Sequence, residues 1–180
     1  MQKNRYAFTI VELLVVIVVI AILAAITIVA YNGIQQRSRD AKRISDLEQI
    51  EKGLHLWSAS TGKSFNEINA GYEGTGMGWF SGVYTSPVST KQLLINNNLL
   101  SSGVQDPINT MVVNTSTFSY MISDCFAGDT TQRVVLAQLE TPPAQSLPQQ
   151  LGVTCNGTTY TTYTGSGYKM NYGRLVKLQP

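Results

Sequence analysis

Few residues in this chain combine a reactive type with a useful spacing, and the most informative is an acid at the head of an apolar run. Glu12 precedes "LLVVIVVIAILAAITIVAY" (residues 13–31), 19 residues without a charge, and no charge falls between Glu12 and Arg37. A carboxylate in a membrane segment costs a few kcal/mol at mid-bilayer, less near the interface, and it usually has a partner. The run supplies no cation. A new amino terminus would. A cut between Ala7 and Phe8 leaves a chain beginning Phe8-Thr9-Ile10-Val11-Glu12, with a free amine four residues before the carboxylate. Within one helix the two groups lie about a turn apart. Between two staggered copies they can meet directly, and pairing offsets the desolvation of both charges. The chemistry predicted for Glu12 is therefore charge pairing that sets the register between copies.

The remaining reactive side chains form no catalytic constellation. Cys125 and Cys155 lack the C-x-x-C spacing of zinc or redox sites, and the chain has one histidine, His55. No metal or cofactor is expected. If the C-terminal part lies outside the cytoplasm, a Cys125–Cys155 disulfide is the natural reading, closing a loop of about 30 residues worth roughly 3–4 kcal/mol. Two separate buried thiols are the alternative in a reducing compartment. His55 has no Cys, Asp or Ser cluster in sequence and reads as structural. "GYEGTGMGWFSG" (residues 71–82) lacks the GK[ST] of a phosphate loop and reads as a surface loop. Between Glu73 and Glu140 the acids are Asp106, Asp124 and Asp129, a poor supply for acid–base catalysis. The chain is not expected to be an enzyme.

Charge distribution narrows the class further. The formal charge is +2, and removing Lys3 and Arg5 leaves 11 basic and 11 acidic side chains. A near-neutral body without a basic stripe argues against nucleic-acid binding as the main activity. It also lets many copies pack with little self-repulsion.

These residues need elements to hold them. A helix of about 20 residues spans roughly 30 Å, the thickness of the hydrocarbon core. Basic residues flank the run on both sides, so the positive-inside count is ambiguous, and a secretory signal peptide or a plain anchor would explain the run without explaining Glu12. Beyond Gly33, Ile44, Leu47, Ile50, Leu54 and Trp57 recur at spacings of three and four, which predicts one buried helical face. The interspersed charges from Arg37 to Lys52 read as a solvated face. The simplest account is one helix over about residues 9–58, weakest in propensity at Asn32-Gly33, where melting during assembly would begin. Residues 91–103 read as a short helix or turn ended by Gly103, and Asp106-Pro107 as a turn. Alternating stretches at residues 116–123, 133–140, 158–164 and 168–178 read as strands. The predicted fold class is α+β: a long N-terminal helix packed on an antiparallel sheet of about four strands.

The stretch "KNRYAFTIVELLVVIVVIAILAAI" resembles the N-terminus of type IV pilins and pseudopilins. The resemblance implies a leader at residues 1–7, peptidase cleavage between Ala7 and Phe8, N-methylation of Phe8, and pairing of Glu12 with a neighbouring copy's amine. It departs from the family in having Ala7 where glycine is usual, and no proline within the run. The implied organisation is a helix over residues 8–58, its assembly segment 8–31, and a pilin-like β domain over 59–180 with a loop at 59–90. The implied partners are further copies of the chain, a prepilin peptidase and methyltransferase, an assembly ATPase with its inner-membrane platform, and the bilayer before assembly. DNA enters only as a cargo. The implied place is the cytoplasmic membrane and then a surface pilus serving adhesion, twitching or DNA uptake. The alternative is a pseudopilin or minor pilin of a secretion or competence system.

Overall fold

A computed structural model of the chain describes residues 9–64, 78–79, 89–112, 116–124, 132–141, 153–155, 158–160 and 170–177. One long helix, α1 (Ile10–Thr61, 52 residues), opens it. With no proline between its ends, nothing removes a backbone donor, and the helix runs unbroken through Asn32-Gly33. The expected end at residue 58 is passed by three residues. Gly62, at φ +68°, donates its N–H to the Ser58 carbonyl at 2.8 Å and closes the helix. Only glycine adopts that left-handed conformation without strain, which is why the stop falls there.

The described chain divides into two compact units at the Ser38–Arg39 bond. The first holds the apolar part of α1. The second, from Arg39 onward, is the body. In the body, α1 turns inward the residues 40, 43, 47, 50, 54 and 57, a strict alternation of three and four. Leu47, Ile50, Leu54 and Trp57 form the apolar part of that stripe, each worth roughly 1.5–3 kcal/mol when buried.

They pack on a four-stranded antiparallel sheet of order β1-β4-β5-β8, made of β1 (Gly78–Trp79), β4 (Met121–Asp124), β5 (Gln132–Ala137) and β8 (Tyr172–Lys177). Tyr120, Ile122, Val135, Ala137 and Val176 supply its side of the core. Register is fixed across the central strand: Ile122 lies opposite Val135, and Val135 opposite Arg174. Residues 133–137 of β5 are buried without a break, as a strand covered on both faces requires, and the apolar run "VVLA" supplies that.

Two short ribbons accompany the sheet, β2 (Thr110–Val112) with β3 (Ser116–Phe118) and β6 (Val153–Cys155) with β7 (Thr158–Tyr160). The single strand expected over residues 116–123 is thus two, β3 and β4, interrupted at Ser119-Tyr120. Tyr120 between them is buried and sends its hydroxyl to Asp46, 2.7 Å away, the partner a buried hydroxyl needs. Within the expected loop 59–90, residues 59–61 are still helical and Gly78–Trp79 forms β1.

A second helix, α2 (Thr90–Asn96), is capped by Ser89, whose Oγ accepts the Gln92 N–H at 3.1 Å. It ends at Asn97, several residues before Gly103, and Asn98 (φ 57°) turns the chain back towards α1. There Gly53 is indispensable. A Cβ on Gly53 would stand 2.9 Å from the Leu99 carbonyl oxygen, a backbone atom with no rotamer to escape by. Gly53→Ala gains helix propensity of about 0.5–1 kcal/mol, but displacing the turn costs about 1–3 kcal/mol. A net fall in the urea midpoint is expected. An unchanged or raised midpoint would show that the turn yields freely.

Candidate functional site

The start of α1 is built by two residues. Thr9 Oγ1 accepts the Glu12 N–H at 3.2 Å, and Glu12 Oε2 accepts the Thr9 N–H at 2.8 Å and its hydroxyl at 2.7 Å. This is a reciprocal capping box, T-x-x-E, which satisfies donors the helix itself leaves open. The pattern stands in the sequence, yet charge reasoning alone had accounted for Glu12. The carboxylate therefore caps its own helix within a single chain.

Above it, every described side chain over residues 10–32 is exposed, the large aliphatic ones included. Among the described residues, α1 is the one helix long and apolar enough to cross a membrane. Within it the Thr27 hydroxyl is satisfied by the helix itself, Oγ1 donating to the Leu23 carbonyl at 2.6 Å.

The body holds a feature that sequence reasoning missed. The charges from Arg37 to Lys52 are a solvated face only in part: Arg37, Lys42, Glu48 and Lys52 are exposed, but Asp40, Arg43 and Asp46 are buried, with Arg43 fully so. Arg43 donates four hydrogen bonds. Nε and Nη2 reach the two oxygens of Asp106 at 2.7 and 3.2 Å, and Nη1 reaches Asp40 at 2.7 Å and Glu140 at 2.8 Å. Its guanidinium carbon also lies 4.7 Å from the centroid of the Phe118 ring.

Asp40 in turn accepts from the backbone N–H groups of Glu140 and Thr141 and from the Thr141 hydroxyl, at 2.7–2.9 Å. Arg39 completes the set with a two-pronged pair to Glu140 at 2.7 and 2.6 Å. Asp106 was expected to mark a turn, and it does. Its Oδ1 accepts the N–H groups of Ile108 and Asn109, while the same carboxylate clamps Arg43. Two guanidinium groups and three carboxylates thus join α1 to the 104–109 turn and to the exit of β5. The available signal was spacing, since Asp40 and Arg43 continue the 47–50–54–57 stripe.

Burial and hydrogen bonding act in opposite directions on Asp40 and Glu140, and hydrogen bonding prevails at both. Burial alone pushes Asp40 up, but the bonds from Thr141, the Glu140 amide and Arg43 outweigh it and hold it below the usual range. Glu140 is held low chiefly by Arg39 and then by Arg43, against the effect of burial. Burial disfavours the charged form of Arg43 too, yet its bonds to Asp106 and Glu140 raise its affinity for the proton. Carboxylates depressed in the folded state stabilise it above their unfolded values, near pH 4, and that stability is lost as pH falls through the folded values. The body's melting temperature is expected to be flat from about pH 8 to 5 and to drop below about pH 4. A melting temperature that rises on acidification would contradict this ionic arrangement.

Elsewhere in the body, Arg174 of β8 pairs with Glu51 and, at 3.3 Å, with Glu48. His55 is exposed in an open groove of about 510 Å³ with those residues, Lys52, Leu56 and Ala59. Nothing there pairs a nucleophile with a base. Among the described residues, no group of three His, Cys, Asp or Glu is arranged to hold a metal. Ala7, Phe8 and Cys125 lie outside the described residues, and Cys155 is described only as the backbone end of β6.

Residues 2–28 match the prokaryotic N-terminal methylation motif. The chain therefore opens with the class III signal peptide of type IV pilin-like proteins, and the long helix with its antiparallel sheet is the α+β fold consistent with that type. Proteins of this type are structural, and the motif implies processing by a prepilin peptidase and a membrane-anchored helix. No curated protein and no solved structure matches the chain.

Proposed function

We propose that the chain is the structural subunit of a type IV pilus, assembled through α1. One observation supports this reading above the rest: the first part of α1, exposed at every described residue from 10 to 32 and without a charge beyond Glu12, follows that carboxylate within the methylation motif. So much exposed aliphatic surface needs a cover, first lipid and then other copies. In this reading Lys3 and Arg5 stay in the cytoplasm while the precursor inserts. A prepilin peptidase removes residues 1–7 between Ala7 and Phe8, and the amine of Phe8 is methylated. Helices leave the bilayer sideways, each Glu12 exchanging its own Thr9 for the amine of a neighbour. The motor is a separate ATPase on an inner-membrane platform. The domain over residues 59–180 forms the outside of the fibre, with Cys125 and Cys155 bridged once outside the cytoplasm.

A surface pilus for adhesion, twitching or DNA uptake is favoured over a periplasmic pseudopilus by the body's surface chemistry. Calcium-dependent secretion pseudopilins would want clustered acids near the C-terminus, whereas this end carries Lys169, Arg174 and Lys177. The test is to shear cells, collect filaments and identify the N-terminal peptide by mass spectrometry. Abundant filaments beginning at methylated Phe8 are expected. Cleaved protein absent from filaments would transfer the chain to a minor-pilin or pseudopilin role, and protein still beginning at Met1 would overturn the reading.

A further inference from the structure

The clasp around Arg43 has a position in the chain that equilibrium stability does not explain. Apolar residues of similar volume at a buried ion cluster are commonly as stabilising as the ions, so five charges are an inefficient way to add stability. Directly along α1, Leu47, Ile50, Leu54 and Trp57 show the apolar solution in use. The charges instead occupy residues 39, 40 and 43, the first of the body that is reached along the chain from the apolar helix.

We infer that this clasp is a tension-resisting anchor that stops α1 from being peeled out of the body when the apolar segment is pulled. Tension that enters through residue 38 meets Arg39–Glu140 first, then Asp40 with its bonds to residues 140 and 141, then Arg43 with Asp106 and Glu140. Hydrogen bonds weaken steeply over a few tenths of an ångström, so a set that must break together is stiff and ruptures at a short extension. Apolar contact is non-directional and lets a helix slide.

The far ends of these bonds are spread over the fold. Asp106 is fixed by the Ile108 and Asn109 amides, and Glu140 follows β5, the strand paired on both sides. Leu139 is tied in turn to Asn171 through two bonds, 2.7 and 2.9 Å, next to β8. Pull applied at α1 is thereby handed to the centre of the sheet. Asp46, one turn further on, adds a second tie through Tyr120, and Lys42 donates to the same Asp46 oxygen at 2.6 Å.

The inference rests on the filament reading, which supplies the tension, but it is measurable on single molecules. Full-length protein in detergent micelles would be held by handles at its two ends at constant force. Arg43→Lys keeps the charge and gives up the planar fork, so it removes bonds without leaving the carboxylates uncompensated. Leu54→Ala is the comparison, a core truncation that lowers the urea midpoint at least as much. The expected result is a lifetime under load about tenfold shorter for Arg43→Lys than for Leu54→Ala, against the order of their urea midpoints. Lifetimes that follow the urea midpoints, or an Arg43→Lys lifetime equal to the unaltered protein's, would overturn the anchor. A failure of the filament reading would appear separately, as cells that shed no filaments containing the chain.

Discussion

Glu12→Gln is expected to leave the helix intact and abolish polymerisation, a loss of at least about a hundredfold in sheared filaments. The two functions of this side chain make the variant informative. As the partner of Thr9 it accepts hydrogen bonds at 2.7 and 2.8 Å, and a glutamine oxygen can accept the same bonds in a capping box. In the proposed pairing with a neighbouring ammonium group it must carry charge, which glutamine cannot. Removing one member of a desolvated ion pair strands the other, at about 3–5 kcal/mol, which is two to three orders of magnitude in each association constant. Glu12→Ala loses both functions and should also fray the first turn, at about 0.5–2 kcal/mol. Filament yield and helicity in micelles separate them: Gln lowers the first only, Ala both. A Gln variant that polymerises normally would reduce Glu12 to a helix cap and remove the reason for pairing between copies.

How far the sequence reveals this molecule follows from which physical effects are local. The helix over the apolar run, the amphipathic continuation and the β-rich remainder are all periodicity, and β4, β5 and β8 of the sheet appear where alternation predicts strands, whereas its fourth strand, β1, lies in the expected loop and the stretch expected at 158–164 contributes β7 of a separate ribbon. The division of residues 116–123 into β3 and β4 depends on Tyr120 finding Asp46, a partner 74 residues away, which no local pattern contains. The clasp was hidden for the same reason. Asp40 and Arg43 look like surface residues because their compensating groups, Asp106 and Glu140, are 63 to 100 residues distant. Burial of a charge is decided by such partners. The stripe 40–43–47–50–54–57 nevertheless had the geometry of a buried face with two charged members. The capping box at Thr9 and Glu12 was local and legible, but an acid beside an apolar run directs attention to the membrane.

Arg43→Met is expected to destabilise the body by about 3–5 kcal/mol, the largest effect of any single substitution in it. Methionine fills much of the arginine's volume, so the loss is electrostatic. Asp40, Asp106 and Glu140 would remain in place with Arg39 as the one guanidinium left to them, and Asp106 is fully buried. Adding Asp106→Asn removes one stranded charge, and the asparagine oxygen can still accept the Ile108 and Asn109 amides that form the turn. The double variant should therefore be more stable than Arg43→Met alone, with a coupling of about 1–3 kcal/mol in the cycle.

Acid should discriminate as well. In the unaltered protein acid destabilises, because Asp40 and Glu140 are depressed by their partners. In Arg43→Met burial acts with less to oppose it and favours the protonated form, so the deficit relative to the unaltered protein should shrink as pH falls from about 6 to 4. Urea midpoints at pH 7 and pH 4.5 for the three proteins decide the matter. A deficit that is the same at both values, or a double variant no better than the single one, would mean that Arg43 supports the body through its packing against Phe118 and the stem of its side chain, with the four charged bonds contributing little.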